Sequence, residues 1–510
     1  MTRTSKPLLD FVIYQAAWFA CVLLSRDGRP WLGAGAMLIF VFAHFVADWE
    51  KRSGDLAPVL ISGIYGFFTD SFLAASGLLS FTQTTLPIGP SPLWMIALWL
   101  GFGATLNSSM TWLNRNVGIS ALTGAVVGPL AYGGGVRLGL IVMGPNPEWT
   151  YAALAIQWVI ALSLLPAVAS ASCSLRWNGA TILRRILSIT QFAGAWVLIT
   201  VGAPFVLAVT FAIDAARKIT RGVPMAATRF IATFYVYLCA EMWGILSLFW
   251  AWIVSRGDEQ EVFRRSTRVQ TQWATGLFFS LCRIFQLKVV FEDKDVCTPG
   301  PIIVMVRHCS HLDTLIPTAL ITNTFGIALN FVIKKELIID PCVDIAGHRL
   351  RNHFVDRKSS TREVETQHIS NLGKGLGTDQ GAMIFPEGTR FTANRKARAL
   401  ERIKDSRPDL YERAAKLRYL LPVRPAGSLA LLDAPADVII LGHKGLDALT
   451  TWAQLWNGDL VGKTIHIRAW RIPSSQIPSG EEERVDWLYR QWEMLDGWLH
   501  ELHSQDAPSA

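Results

Sequence analysis

The sequence predicts a multi-pass α-helical membrane domain followed by an α/β domain whose largely parallel sheet is flanked by helices. Three observations carry this expectation. The 510-residue chain is 51% hydrophobic and only 17% charged, with a mean hydropathy of +0.30, which is too apolar for an ordinary soluble protein. The apolarity is uneven: the long uncharged runs precede residue 258, and most of the charge follows it. Beyond 258, short apolar runs alternate with amphipathic ones, the pattern of strands interleaved with helices.

Runs of spanning length fall near 8–25, 31–48, 57–80, 93–112, 118–143, 150–170, 187–213 and 227–254; about 20 residues suffice to cross a bilayer. If all eight cross, Arg3, Lys6, Lys51, Arg52, Arg115, Arg176, Arg184 and Arg185 share one side, which is cytoplasmic by the retention of basic loops. The C-terminal half then also faces the cytoplasm, at a bacterial inner membrane. Arg217, Lys218, Arg221 and Arg229 break the rule if 187–213 spans fully, and Gly202-Ala203-Pro204 allows a re-entrant hairpin there instead. The start, Met1 to Lys6 before an apolar run, has no small-residue cleavage site after it and reads as the approach to a retained first helix. The expected divisions are a membrane domain at 1–170, a basic linker with two membrane or re-entrant elements at 171–257, the α/β domain at 258–505 and a disordered tail at 506–510.

Ionisable residues at membrane depth are expensive and usually paired or functional. Asp70, Arg137 and Glu241 lie there, with His44 and Asp48 near a helix end, and an Asp70–Arg137 pair locking helix packing is expected. Gly124, Gly128 and Gly133-Gly134-Gly135 predict close helix contacts. The net charge of +8 suits a face that meets anionic lipids; no basic cluster carries a nucleic-acid motif. Seven scattered cysteines with no CxxC pair argue against a disulfide framework or zinc site and for a reducing compartment.

After 258, residues 264–286 form an amphipathic pattern with Trp273, Leu277, Phe278 and Phe279 available to rest on the membrane surface. Strands are expected at Leu287–Phe291, Ile302–Val306, Leu329–Ile333, Phe354–Val355, Ala382–Phe385, Leu420–Val423, Val438–Leu441 and Ile465–Ile472. Glu483 to His503, with Trp487, Leu488, Trp492, Leu495 and Trp498, reads as a closing helix.

Two of these strands run into polar turns, where an α/β fold places its chemistry. In Arg307-His308-Cys309-Ser310-His311-Leu312-Asp313-Thr314, a helix starting near Ser310 would let the Asp313 carboxylate fold back onto the His308 imidazole. A carboxylate on one ring nitrogen sets the tautomer and frees the other to accept a proton; a capping Asp beside a core His gives the same pattern. His311 has a poorer spacing for that geometry. Phe385-Pro386-Glu387-Gly388-Thr389-Arg390 supplies a permissive glycine, a hydroxyl and a guanidinium, groups that suit a phosphate or oxyanion, or equally a surface turn with an Arg390–Glu387 pair. Gly347 to Arg357 adds cations at a further strand end, and Leu421-Pro422-Val423-Arg424 enters the same edge.

These four blocks, over about 290–430, resemble in order and spacing the four signature motifs of the glycerolipid, or lysophosphatidic acid, acyltransferase family. The resemblance implies that His308 is a general base oriented by Asp313, so that a hydroxyl attacks an acyl thioester directly and neither Cys309 nor Ser310 acts as nucleophile. It implies that Arg357, Glu387, Gly388, Thr389 and Arg390 hold the acceptor's phosphate region, with Glu387 ordering Arg390 or a substrate hydroxyl, and that Pro422 shapes the acyl-donor side. The co-substrate would be acyl-CoA or acyl carrier protein and the partners membrane lipids, most simply 1-acylglycerol 3-phosphate going to phosphatidic acid. No metal or tightly bound cofactor is implied. Arg307, His311-Leu312 and His353 depart from the commonest pattern, which bears on the acceptor and leaves the dyad intact. Lys334-Lys335 and Arg395, Lys396 and Arg398 are candidates for gripping an anionic carrier or are solvated faces.

The first 170 residues resemble a bacterial inner-membrane domain family of unassigned function, on Gln15-Ala16-Ala17-Trp18-Phe19, Asp70, Leu98-Trp99-Leu100-Gly101-Phe102 and Gly128-Pro129-Leu130-Ala131-Tyr132. The alternatives to lysophosphatidate acylation are another lysolipid or hydroxylated-lipid acceptor, or a transporter or scramblase with a C-terminal sensor. Oligomeric state is not encoded in these motifs.

Overall fold

The computed structural model describes residues 7–47, 49–83, 90–172, 179–355, 362–447 and 452–505. The chain divides into two compact units, Met1–Leu183 with Phe249–Val262, and Arg184–Leu248 with Phe263–Ala510. The division differs from the expected boundaries at 170 and 257: most of the two helices assigned to a linker belongs with the α/β half.

The N-terminal unit is helical. Pro7–Arg26 and Pro30–Ala47 are joined through Gly28, whose φ of +78° is the left-handed conformation a tight reversal needs. Leu56–Ala75, Leu93–Thr105, Val117–Arg137 and Pro147–Ser172 complete the unit's long helices. Asn116 caps the third of these, its side-chain oxygen accepting from Gly118 and Ile119 N–H at 2.8 and 3.3 Å, as a helix start requires.

Among the described residues, seven helices of the whole chain are long and apolar enough to cross a membrane, one fewer than expected. The exception is the 93–112 run, whose helix is 13 residues, or roughly 20 Å at 1.5 Å per residue. It stops before Asn107, whose side chain donates to Asp55 and to the Ala169 carbonyl. Counting eight crossings therefore no longer places the C-terminal half. Two other runs, 57–80 and 118–143, are helical over only part of their length. Residues after Gly77 and Gly139, both left-handed, are strands, β1 (Leu79–Phe81) and β2 (Ile141–Met143), paired antiparallel.

The expected Asp70–Arg137 pair is not formed. Asp70 is fully buried and accepts from Trp99 Nε1, Tyr132 Oη and Gln157 Nε2 at 2.9, 2.6 and 2.8 Å. Three neutral donors meet its hydrogen-bonding needs, while Arg137 sits exposed at its helix end. His44 is buried against Asp55, Nε2 to Oδ2 2.9 Å, and accepts from Arg52 on its other nitrogen at 3.0 Å; Asp48 lies outside the described residues.

In the C-terminal unit, Gly179–Arg221 supplies a helix that continues unbroken through Pro204, so the described chain makes no hairpin at 202–204. Asp214 on it accepts from the N–H groups of Ala226, Ala227 and Thr228 and so caps the next helix, Ala227–Ser255. Glu241 is buried on that helix, accepting from Trp273 Nε1 at 3.0 Å and Cys342 N–H at 3.3 Å. Trp273 belongs to the helix Glu259–Phe285, expected to rest on the membrane. Its Phe278 is instead buried in the core against the sheet, Leu277 is buried as well, and only Phe279 of the four is exposed. An amphipathic stripe reports that one face is covered and not by what.

The sheet comprises β3 (Lys288–Glu292), β4 (Ile302–Val306), β5 (Ala328–Lys334), β6 (His353–Val355), β7 (Gln380–Ile384), β8 (Asp437–Lys444) and β9 (Thr464–Ile472), in the order β3-β9-β8-β4-β7-β5-β6. Every pairing is parallel except β8 with β9. β4 is buried along its whole length. Ile302, Val304 and Val306 enter one core and Ile303 and Met305 the other, because side chains alternate across a strand. That explains the continuous apolar run in place of polar alternation. Leu420–Val423 is not a strand. Pro422 has no N–H for a ladder, and the flanking N–H groups of Leu421 and Arg424 are taken by the Glu387 carboxylate and the Pro386 carbonyl. The helix Glu481–Gln505 closes the fold with Trp487, Leu488, Trp492, Leu495 and Trp498 buried; 506–510 lies outside the described residues.

Candidate active site

β7, β4 and β8 are parallel neighbours, so the turns that follow β7 and β4 and the last residues of β8 meet at one edge. This places Phe385 to Arg390, Arg307 to Asp313, and His443 side by side. A hydrogen bond from Phe391 N–H to the His308 carbonyl, 2.8 Å, ties the first two segments together.

Ser310 shapes the first turn: its Oγ accepts from the N–H groups of Leu312 and Asp313 at 3.0 and 3.2 Å, opening a 3₁₀ turn at Leu312–Thr314. The turn swings the Asp313 carboxylate back, as the spacing anticipates. Its oxygens lie 3.1 and 3.3 Å from His308 Nδ1, and one also accepts from Cys309 and Ser310 N–H at 2.7 and 2.8 Å. Burial alone would raise the Asp313 carboxyl. The hydrogen bond and charge of His308 and the neighbouring N–H groups outweigh it and hold the group below the usual carboxylate range. The His308 ring stacks on Phe385, centroids 4.2 Å apart. Among the described residues its Nε2 has no hydrogen-bond partner. A ring fixed at Nδ1 and stacked on one face leaves Nε2 as its reactive atom.

Behind the dyad lies a buried polar layer that the motif reading missed. His443 Nε2 donates to the Arg307 carbonyl at 3.0 Å, and its Nδ1 is 4.0 Å from Cys309 Sγ. Burial lowers the His443 pKa and raises that of the Cys309 thiol, so the histidine is neutral and the cysteine is a thiol. The 3.8 Å between His443 Nε2 and Asp313 is too long for a hydrogen bond, and a neutral ring forms no ion pair. Cys309, Asp313 and His443 could by position hold a metal. Asp313 and His443 Nε2 are already engaged, however, in hydrogen bonds within the protein. Arg307 is buried, donating to the carbonyls of His443 at 2.6 Å and Tyr419 at 3.2 Å and pairing with Asp447 at 2.5 Å. A polar Gly442-His443-Lys444 at the end of the apolar Val438–Leu441 run was the available signal.

Among the described residues Glu387 makes no hydrogen bond or ion pair with Arg390. It is buried, and its two oxygens accept from His308 N–H at 2.8 Å and Leu421 N–H at 2.9 Å, so that it clamps two backbones. Burial pushes its carboxyl up to about 8, against the pull of those two N–H groups. Between the ordinary value of 4.5 and about 8, the folded state binds more protons than the unfolded one, so Glu387 lowers stability as pH rises through that window. Glu387→Gln should flatten this slope. Melting curves of purified wild type and variant across the window check it, and parallel pH profiles would refute it.

Gly388 has a φ of +64°, and a Cβ there would come 2.9 Å from Arg424 Cδ, so Arg424 lies across it. Thr389 and Arg390 are half-buried in the same turn. Arg390 contacts His311 Nε2, and its carbonyl accepts from Arg395 at 3.2 Å. Burial and the Arg390 charge lower the His311 pKa. Pro422 is buried, and Arg357 lies outside the described residues.

Residues 288–425 match the family model described as Acyltransferase. They form an acyltransferase domain. Residues 7–164 match a family described as protein of unknown function (DUF2878). Lysocardiolipin acyltransferase 1 of Mus musculus is 24% identical over 252 residues, covering 47% of this chain and 64% of the relative. A probable 1-acyl-sn-glycerol-3-phosphate acyltransferase 5 of Arabidopsis thaliana is 24% identical over 244 residues, covering 46% and 61%. The chain thus spans just under two thirds of these relatives. The 1-acyl-sn-glycerophosphate acyltransferase PlsC of Thermotoga maritima aligns with 52% of this chain and 98% of its own at 15% identity and a TM-score of 0.33. The alignment with the relatives covers less than half of this chain, and the acyltransferase domain lies wholly in the C-terminal unit.

Proposed function

We propose that the protein is an integral-membrane O-acyltransferase that moves a fatty acyl chain from acyl-CoA or acyl carrier protein to a lysophospholipid hydroxyl. The simplest acceptor is 1-acylglycerol 3-phosphate, giving phosphatidic acid. The observation that carries this is the His308–Asp313 dyad with Nε2 unpartnered at the strand edge of an acyltransferase domain. His308 Nε2 takes the acceptor's hydroxyl proton as the oxygen attacks the thioester carbonyl. The C–S bond then breaks, and the departing thiolate recovers that proton from the imidazolium. Asp313 holds the tautomer and stabilises the transient cation.

Arg390, with Thr389, Gly388 and Arg424 beside it, binds the acceptor's phosphate; Arg357 is assigned to the same group and Pro422 to the acyl-donor side. Glu387 acts by positioning the His308 backbone. No tightly bound cofactor enters. The seven apolar helices suit a multi-pass protein, and the basic flanks of the first spans favour an inner membrane with the site on the cytoplasmic side. The acceptor and the acyl chain both partition into that membrane, which shortens the search. Lysocardiolipin as acceptor is the second reading, favoured by the similarity to lysocardiolipin acyltransferases.

An acyl-transfer assay on purified membranes, with a lysolipid panel and both donor types, tests this; transfer to none of the acceptors would reject it. Arg390→Ala should raise the acceptor KM by about tenfold or more, as expected for losing a charge-assisted phosphate contact, and change the donor KM little. An effect on the donor alone would reject the phosphate assignment.

A further inference from the structure

Arg390 is tied to its surroundings through both its backbone and its side chain. Its carbonyl accepts from Arg395 Nη1 at 3.2 Å, and the N–H of the next residue, Phe391, donates to the His308 carbonyl at 2.8 Å. The guanidinium reaches across to the turn that carries the dyad, where its partner is His311 Nε2. The motif suggests Glu387 for ordering Arg390, but both Glu387 oxygens are taken by the N–H groups of His308 and Leu421. His311 stands on a fixed backbone. Its carbonyl accepts from Thr314 Oγ1 at 2.8 Å, and Ser310 Oγ accepts from the N–H of Leu312 at 3.0 Å. Arg390 is thus joined to the His308–Asp313 turn twice, once by the backbone bond at Phe391 and once through His311.

A guanidinium donates and never accepts, so the His311 nitrogen that meets it must offer a lone pair. That requires a neutral imidazole with its proton on Nδ1. The choice of partner has a chemical consequence. A carboxylate would hold Arg390 as firmly, yet it would cancel the cationic charge and repel an incoming phosphate. A neutral acceptor occupies part of the guanidinium fork and leaves the charge and the remaining donors to a ligand. His311 is exposed and Arg390 half-buried, so a substrate arriving at this strand edge can meet both. We propose that His311 is a positioning residue for the acceptor: it aims the Arg390 guanidinium and sets its reach from His308 Nε2 without neutralising it. The proposal rests on the reading of Arg390 as the phosphate-binding group. A lysolipid must place its phosphate and its hydroxyl together, and an arginine ordered in advance lowers the entropic cost of doing so.

The test is steady-state kinetics of the full-length protein in membranes. The acceptors are 1-oleoylglycerol 3-phosphate and lysocardiolipin, and the donors oleoyl-CoA and oleoyl-acyl carrier protein. His311→Leu should raise the acceptor KM about fivefold, the effect of one hydrogen bond near solvent, and leave the donor KM unchanged. His311→Gln and His311→Glu then separate orientation from charge. The glutamine variant keeps a neutral acceptor for Arg390 and should restore the acceptor KM nearly to the wild-type value. The glutamate variant also holds Arg390 but neutralises it, and should raise the acceptor KM by about tenfold or more. A merely structural His311 would treat these two isosteric variants alike, and equal acceptor KM values for them would overturn the proposal. A wild-type acceptor KM in His311→Leu, with a raised one in Arg390→Ala, would overturn it too while the phosphate assignment stands. An unchanged acceptor KM in Arg390→Ala would remove the assignment and the proposal together. Adding His311→Leu to Arg390→Ala should raise the acceptor KM no further, since the two side chains act as one unit; an additive rise would reject their coupling.

Discussion

His308→Ala is expected to lower the rate of acyl transfer by roughly two to four orders of magnitude, the usual contribution of a positioned general base. Acceptor KM should change little, because in the proposed mechanism the imidazole acts on the hydroxyl while other groups hold the phosphate. Asp313→Asn should show a similar loss although it preserves shape. An amide would present its NH₂ or a single oxygen to the ring and to the N–H groups of Cys309 and Ser310, which now share a carboxylate, so the Nδ1–H tautomer is no longer enforced. Initial rates of membranes normalised for folded protein decide the matter. Activity of His308→Ala within about fivefold of wild type, well short of the expected loss, would remove the dyad from the mechanism.

The second large effect is on stability. Arg307→Met should destabilise the C-terminal unit by about 3 kcal/mol, in the range for removing one partner of a buried ionic network. The partial exposure of Asp447, 36% of its side chain, keeps the figure at the low end. The His443 and Tyr419 carbonyls would lose their donors inside the protein, and the turns at 419–421 and 443–447 that back the dyad would loosen. Arg307→Lys should rescue little, since an ammonium cannot fork between two carbonyls and a carboxylate as a guanidinium does. Thermal unfolding in detergent reads this directly, and an unchanged melting temperature for Arg307→Met would refute it.

Arg307 also illustrates where legibility ended. In the sequence it is a basic residue beside a motif, a departure from the commonest pattern that bears on the acceptor. In the fold it points into the layer beneath His308, because parallel strands β4 and β8 bring residues 307 and 443, far apart in the chain, within hydrogen-bond reach. The contacts of Glu387 escape the sequence for the same reason. Its partners are backbone N–H groups at 308 and 421, and backbone groups leave no trace in composition. Asp70 shows the converse failure: charge complementarity suggested Arg137, yet three neutral side chains on other helices satisfied the carboxylate.

What the sequence by itself determined is local or periodic. It specified the apolar helices, the alternation of strands and helices after residue 258, and the His308-to-Asp313 turn, whose geometry depends on six consecutive residues and a Ser310 cap. What only the tertiary structure decided is every pairing between distant segments. These include the 13-residue helix at Leu93–Thr105, the irregular 420–423 segment clamped by Glu387, the covered face of Glu259–Phe285, and the contact of Arg390 with His311. In each of these the deciding partner is supplied by packing, and a one-dimensional pattern records that a side chain needs a partner without recording which one it finds.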